Sequence, residues 1–151
     1  MNPQDMLMVA AAGAFFDIVI IASYIVLSAM LFGVSVHEKA RIAEFLKEHQ
    51  TVADDSALEQ FKDIVRHNMI AALATLVAGV LQIFLGLFMM SRTVIIGLLL
   101  VLCINIPMFF YGRSIKKLEL QSRELPCPDP LLRSRYESAI MTWKKKMFPA
   151  F

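Results

Sequence analysis

The chain has 151 residues, of which 58% are hydrophobic, and its mean hydropathy is +0.61. Soluble domains are usually a little under half apolar, so this composition predicts an integral membrane protein. The length leaves room for one small domain, and we expect residues 1–151 to form a single membrane domain. A net charge of +2 is too small to indicate nucleic-acid binding.

The first apolar stretch covers residues 7–35 and contains one carboxylate, that of Asp17. At about 1.5 Å per residue, it is longer than one crossing of a hydrocarbon core of roughly 30 Å requires. Either the helix tilts, or its first turns lie in the outer interface, and we favour the second account. We place this crossing at about 10–35. No positive charge precedes it, which favours a retained helix over a cleaved signal peptide.

The next segment, residues 36–68, is charged and is predicted to form a helical hairpin. Apolar residues recur at spacings of four and three from Val36 to Leu46, so the first helix continues beyond the membrane. Residues 51–55 break this pattern. Ser56 followed by Glu59 has the form of a capping box, which starts a second helix that runs back to the membrane.

Two further apolar runs, at about 69–90 and 94–112, are each about 20 residues long, enough to cross a bilayer as helices. Only the residues Ser91, Arg92 and Thr93 separate them. A connection this short predicts that the two crossings are antiparallel neighbours.

Residues 113–151 are the predicted cytoplasmic tail. The third helix continues into it until three prolines between residues 126 and 130 end the helix. A short amphipathic helix is predicted over 131–147. Its apolar side holds Leu132, Tyr136, Ile140 and Trp143, and its basic end holds Lys144, Lys145 and Lys146. This helix either lies on anionic headgroups or docks on a partner protein.

The distribution of Lys and Arg predicts the orientation. Arg92 is the one basic residue that lies outside the 36–68 segment and the tail. The positive-inside rule then places the N-terminus and Arg92 outside and the C-terminus in the cytoplasm. The expected fold is an all-α integral membrane protein with three transmembrane helices. These helices extend into a short, coiled cytoplasmic stalk, and a C-terminal amphipathic helix follows.

His37 and His67 are the candidate cofactor ligands. They are equidistant in sequence from residue 52, so an antiparallel hairpin about that residue places them at the same height. Two imidazoles that face each other there could bind a haem iron or a metal, with Glu38 and Asp63 as the nearest carboxylates. The alternative is that both histidines simply lie in the membrane interface.

Asp17 is the only acidic residue inside an apolar run, which makes it a functional candidate by default. The same height rule places it level with Leu87, about one turn below the outer surface. Arg92 could reach it there, so we expect an outer clamp between the two. The alternative is a proton or ion pathway in which Asp17 takes part.

Polar residues at heptad spacing form one stripe on each of the first two helices. In membrane helices such residues usually hydrogen-bond to a neighbouring helix rather than line a conduit, so we interpret both stripes as packing. The first helix carries Asp17, Tyr24, Ser28 and Ser35, and the second carries Asn68, Thr75 and Gln82.

The chemistry-bearing motifs of common enzymes are missing from the sequence. Cys103 and Cys127 lack the spacing of a disulfide framework or a zinc site. The leading expectation is a non-catalytic polytopic membrane subunit that assembles with itself or with a larger membrane complex, without a cofactor. Two alternatives stay open. One is a haem, metal or quinone-site redox subunit built on His37 and His67, and the other is an oligomeric ion or proton pathway around Asp17.

Overall fold

The computed structural model describes residues 2–145, and these form four helices. In chain order they are α1 (Pro3–Glu48), α2 (Asp55–Arg92), α3 (Val94–Arg123) and α4 (Pro130–Lys145). The first three are long and apolar enough to cross a membrane. The predicted all-α architecture with three long apolar helices is therefore confirmed.

The connection between α1 and α2 ends earlier in the sequence than predicted, because α2 begins at Asp55. The N-cap residue of α2 is Asp54, whose Oδ1 accepts a hydrogen bond from the Ala57 backbone N–H at 2.7 Å. Ser56 lies inside the helix, so the predicted Ser56–Glu59 capping box is wrong by two residues. The loop explains the earlier start, because the buried Val52 donates its N–H to the Pro126 carbonyl at 3.0 Å and leaves few residues before α2.

The turn between α2 and α3 consists of Thr93 alone. Gly97 makes this possible, because a Cβ at that position would lie 3.1 Å from the Met90 Cα and N atoms. The first turn of α3 therefore packs directly against the α2 backbone. The two helices run antiparallel as predicted.

The four helices share two packed regions. One lies between the apolar runs, which we call the shaft, and it buries Ile20, Tyr24 and Met89. The other lies at the opposite end from Thr93, and we call it the cap. It is made from the ends of α1, α2 and α3 that lie beyond their apolar runs, together with all of α4. Phe61 is fully buried at its centre, and its ring packs against Phe45, Tyr136 and Trp143.

The helix α4 folds back onto its own chain. Its predicted apolar side is its contact face, because Leu132, Tyr136 and Trp143 are buried in the cap and Ile140 packs against them. The Tyr136 hydroxyl donates to the carbonyl of the fully buried Ser122 at the end of α3. The extensions of α1–α3 and the amphipathic helix thus form one four-helix cap with a shared core, in place of a stalk followed by a separate helix.

The start of α1 projects beyond the α2–α3 turn. Phe16 still packs against Phe88, and a Cβ at Gly13 would contact the Arg92 side chain, so the residues past the end of the hairpin are 3–12. At about 1.5 Å per residue this projection is roughly 15 Å long. It carries Met6, Leu7 and Met8 as exposed side chains.

Candidate functional site

Asp17 and Arg92 join α1 to the α2–α3 turn. The Nε atom of Arg92 donates to Oδ1 of Asp17 at 3.0 Å, and both side chains are partly exposed. An NH2 group of Arg92 also comes close to Gly13, one turn before Asp17. The arrangement is that of a clamp at the end of the shaft. The expected contact between Asp17 and Arg92 is present, and the adjacent Phe16 packs against Phe88, one residue from the expected level of Leu87.

The two polar stripes meet inside the shaft. Gln82 of α2 donates to the Ser28 hydroxyl at 2.8 Å, and Ser28 donates to the Tyr24 carbonyl at 2.6 Å. Asn105 of α3 donates to the Tyr24 hydroxyl at 2.8 Å. These contacts connect all three long helices, with Tyr24, Ser28 and Gln82 buried and Asn105 exposed. Thr75, in the middle of the α2 stripe, is half-buried.

His37 and His67 both lie on exposed positions of their helices. The ring nitrogen Nδ1 of His67 is 2.9 Å from the Asp63 carbonyl oxygen of its own helix. At the height of the two histidines, the contact between α1 and α2 is made by the next residue on each helix, because Asn68 donates to Glu38 at 3.2 Å. Within residues 2–145, no group of three or more His, Cys, Asp or Glu side chains is arranged to hold a metal. Haem or metal binding by the histidine pair stays a prediction.

Asn68 is the point where all four helices meet. Its amide nitrogen donates to the buried Glu38 of α1, and its Oδ1 accepts a hydrogen bond from Trp143 Nε1 of α4 at 3.2 Å. The side chain of Asn68 also hydrogen-bonds with the carboxyl of Glu119 on α3. The polar residue that begins the α2 stripe therefore connects the shaft to the cap.

Glu119 and Arg123 complete this junction on α3. Burial raises the pKa of the Glu119 carboxyl, and the charge of Glu38 acts in the same direction. The Arg123 guanidinium, the hydrogen bond from Asn68 and the charge of Lys116 oppose that shift without cancelling it. Arg123 lies 3.6 Å from a Glu119 oxygen and stacks over the Trp143 ring at 4.2 Å.

Sequence reasoning singled out Asn68 and Trp143 but missed Glu119 and Arg123. The available signal was their i, i+4 spacing at the end of the third helix, where a charged pair adjoins the apolar positions Ile115 and Leu118.

The basic end of α4 lies next to this junction. Lys144 and Lys145 are exposed at the last positions of α4, while Trp143 points into the cap. Lys146 lies outside the described residues. The Trp143 ring is therefore occupied by Asn68, Arg123 and Phe61 and is not presented to a headgroup layer in the way the isolated tail suggested. Comparisons with known protein families, with curated proteins and with solved structures find no match for this chain.

Proposed function

We propose that this chain is an integral membrane protein in which α1, α2 and α3 cross the bilayer. The crossing of α1 starts near Asp17, which pairs with Arg92. The exposure of the shaft supports this assignment, because only 22%, 11% and 6% of the most apolar window of each helix is buried. An apolar surface of this extent is unfavourable in water. Hydrocarbon chains cover it, and the helices satisfy their own backbone hydrogen bonds there.

The proposed orientation places the cap in the cytoplasm. Fourteen of the 15 Lys and Arg residues lie in the sequence segments 36–68 and 113–151, which are on the cap side of the apolar runs. Arg92 alone lies at the opposite end. Positive charge is retained on the cytoplasmic side of membrane proteins. The projecting start of α1 and the Thr93 turn then lie outside.

We further propose that the protein is a non-catalytic subunit, which assembles with itself or with a larger membrane complex. The observation that carries this is a groove of about 300 Å³ lined by α1, α2 and α3, in the half of the shaft nearer the Thr93 turn. Apolar side chains form most of its walls, while the amides of Gln82 and Asn105 lie in it. The lining is Tyr24, Gln82, Ile83, Gly86, Leu87, Met90, Val101 and Asn105.

The amide oxygens of Gln82 and Asn105 accept no hydrogen bond from the described residues, although their NH2 groups donate to Ser28 and Tyr24. Inside a bilayer, an acceptor of this kind is satisfied by a Ser, Thr or amide side chain from another helix. Gly86 lines the groove without a side chain, and Tyr24 and Val101 lie beside it. A transmembrane helix of a second subunit therefore suits both the shape and the chemistry of the groove.

The mass of the extracted particle tests this proposal. In mild detergent, light scattering of the protein component should give more than the 17.0 kDa of one chain. Ile83→Trp, which fills the groove, should shift the particle toward one chain. Val26→Trp is the matched control, because Val26 is also exposed on the shaft but lies outside the groove. A native protein that runs as a single chain with nothing bound would overturn the proposal, as would an Ile83→Trp particle of unchanged mass.

A further inference from the structure

A second groove, of about 270 Å³, lies at the junction between the shaft and the cap. Its walls come from the first apolar turns of α2, from the last residue of α3 and from α4. The lining is Asn68, Met69, Ala72, Leu73, Leu76, Arg123 and Trp143. One end of the groove is thus polar and lies at the cap, while the other is apolar and lies along the shaft.

Arg123 supplies the polar end. Its Nε atom is buried and has no hydrogen-bond partner within residues 2–145. The nearest carboxylate oxygen, on Glu119, is 3.6 Å from its NH2 group, which is beyond hydrogen-bonding distance. The ring of Trp143 holds the guanidinium by stacking at 4.2 Å. A half-buried guanidinium whose Nε has no partner is a site for a phosphate or carboxylate, which it binds with paired N–H groups.

The apolar end follows α2 into the membrane. Met69, Leu73 and Leu76 are spaced one helical turn apart at the start of the second apolar run. In a helix the Cβ bonds tilt toward the N-terminus, so Arg123 extends from the end of α3 back toward the shaft. The charged group and the apolar wall therefore belong to one continuous surface at the boundary of the hydrocarbon.

We propose that this groove binds one anionic lipid of the cytoplasmic leaflet, with its acidic head against Arg123 and an acyl chain along Met69, Leu73 and Leu76. The proposal rests on the membrane insertion proposed above, but not on assembly. The groove holds the junction of head and chain, and the remainder of the lipid stays in the bilayer.

The acidic residues near the groove do not cancel its positive end. Glu38 lies on the α1 side of Asn68 and is held by the amide of that residue. Glu119 lies 3.6 Å from one NH2 group of Arg123 and leaves the buried Nε of that residue without a partner. Lys116 acts on the same carboxyl, and Lys144 and Lys145 follow Trp143 at the exposed end of α4.

Trp143 is the only tryptophan in the chain, so its fluorescence reports directly on this groove. The full chain is placed in nanodiscs of zwitterionic lipid. Each preparation contains one brominated probe, and the probes are compared at the same small mole fractions. The probes are phosphatidylglycerol, a fatty acid and phosphatidylcholine, all brominated on the acyl chain. We expect the two anionic probes to quench Trp143 at about a tenfold lower fraction than phosphatidylcholine, as a charge-assisted hydrogen bond implies. The stronger of the two identifies whether the lipid is a phospholipid or a fatty acid.

Three variants separate the site from general electrostatics. Arg123→Gln should abolish the preference for the anionic probes, and Arg113→Gln, on the exposed face of the same helix, should retain it. Ala72→Phe should weaken quenching by every probe, because the new ring fills an exposed position of the groove. If Arg123→Gln does not fold, the probe preference of the native protein and the quenching of Ala72→Phe still test the lipid site. Equal quenching by anionic and zwitterionic probes in the native protein would refute the lipid site. Failure of the protein to enter nanodiscs would instead refute membrane insertion.

Discussion

Trp143 donates its indole N–H to Oδ1 of Asn68 at 3.2 Å and so fastens the last helix to the point where the second helix enters its apolar run. The same amide donates to Glu38 at 3.2 Å. One side chain therefore ties α1, α2 and α4 together. The C-terminal helix belongs to the folded core of the protein through this contact.

Removal of that amide should destabilise the cap. Asn68→Ala leaves the buried Glu38 carboxylate and the Trp143 indole N–H each without a partner, and we expect a loss of about 2–4 kcal/mol in the free energy of unfolding. Thr75→Ala, seven residues along the same stripe, should change it by less than about 0.5 kcal/mol. Denaturant unfolding in detergent, followed by Trp143 fluorescence, measures both. Equal effects of the two substitutions would contradict a special role for Asn68.

The α2–α3 turn gives a second prediction through two glycines. Gly97→Ala places a Cβ 3.1 Å from the Met90 backbone, so the helices must separate, and we expect a loss of about 1–3 kcal/mol. Gly79→Ala meets nothing within 4 Å and should be neutral or stabilising by up to about 1 kcal/mol through helix propensity. Thermal unfolding followed by circular dichroism compares the two. A Gly97→Ala protein as stable as Gly79→Ala would show that the close approach at Met90 does not occur.

Glu119 should make the stability of the cap depend on pH. Its pKa is raised in the folded protein by burial, so folding favours the protonated carboxyl. Its stabilising contribution is fully present below the unfolded pKa and is lost as the pH rises through the folded pKa. Glu119→Gln should therefore raise stability at neutral pH and flatten the loss of stability between mildly acidic and neutral pH.

Glu137→Gln is the control for this effect, because Glu137 is exposed on α4 and pairs only with Arg133 at 3.2 Å among the described contacts. Thermal unfolding across that pH range measures both variants. A Glu119→Gln protein with the same pH dependence as the native chain would show that another group carries the effect.

The Asp17–Arg92 pair should act as a clamp rather than as a proton relay. Both side chains are partly exposed, so a double-mutant cycle of Asp17→Asn and Arg92→Gln should give a coupling energy of about 0.2–1 kcal/mol. Proton flux into liposomes should be the same for Asp17→Asn and for the native protein. A flux that disappears in Asp17→Asn alone would favour the pathway instead.

The spans and the turns follow from the sequence because they depend on local properties. Apolar run length, the short connection at Arg92 and the three prolines after α3 are enough to place the helices. The apolar side of α4 is readable from its helical spacing in the same way. Its docking surface was not readable, since nothing local distinguishes a partner protein, a lipid surface and the chain's own α2 as the cover for Trp143.

Contacts between helices were harder to predict than the helices themselves. Counting from residue 52 gave equal heights for His37 and His67, but one residue of difference rotates a side chain by about 100° on a helix. Glu38 and Asn68 face each other for that reason, and the histidines do not occupy that contact. At the other end of the shaft the expected heights hold, because Phe16 packs against Phe88. The Arg92 side chain reaches Asp17 there, as the sequence predicts.

Site-directed thiol labelling tests whether three helices cross a bilayer with the cap on the cytoplasmic side. In a chain without native thiols (Cys103→Ala, Cys127→Ser), single cysteines are placed at the exposed Ser91 and Ser134, at the two ends of the molecule. A membrane-impermeant maleimide should label Ser91→Cys in intact cells and Ser134→Cys only in inverted vesicles. Labelling of both positions from the same side would contradict the account.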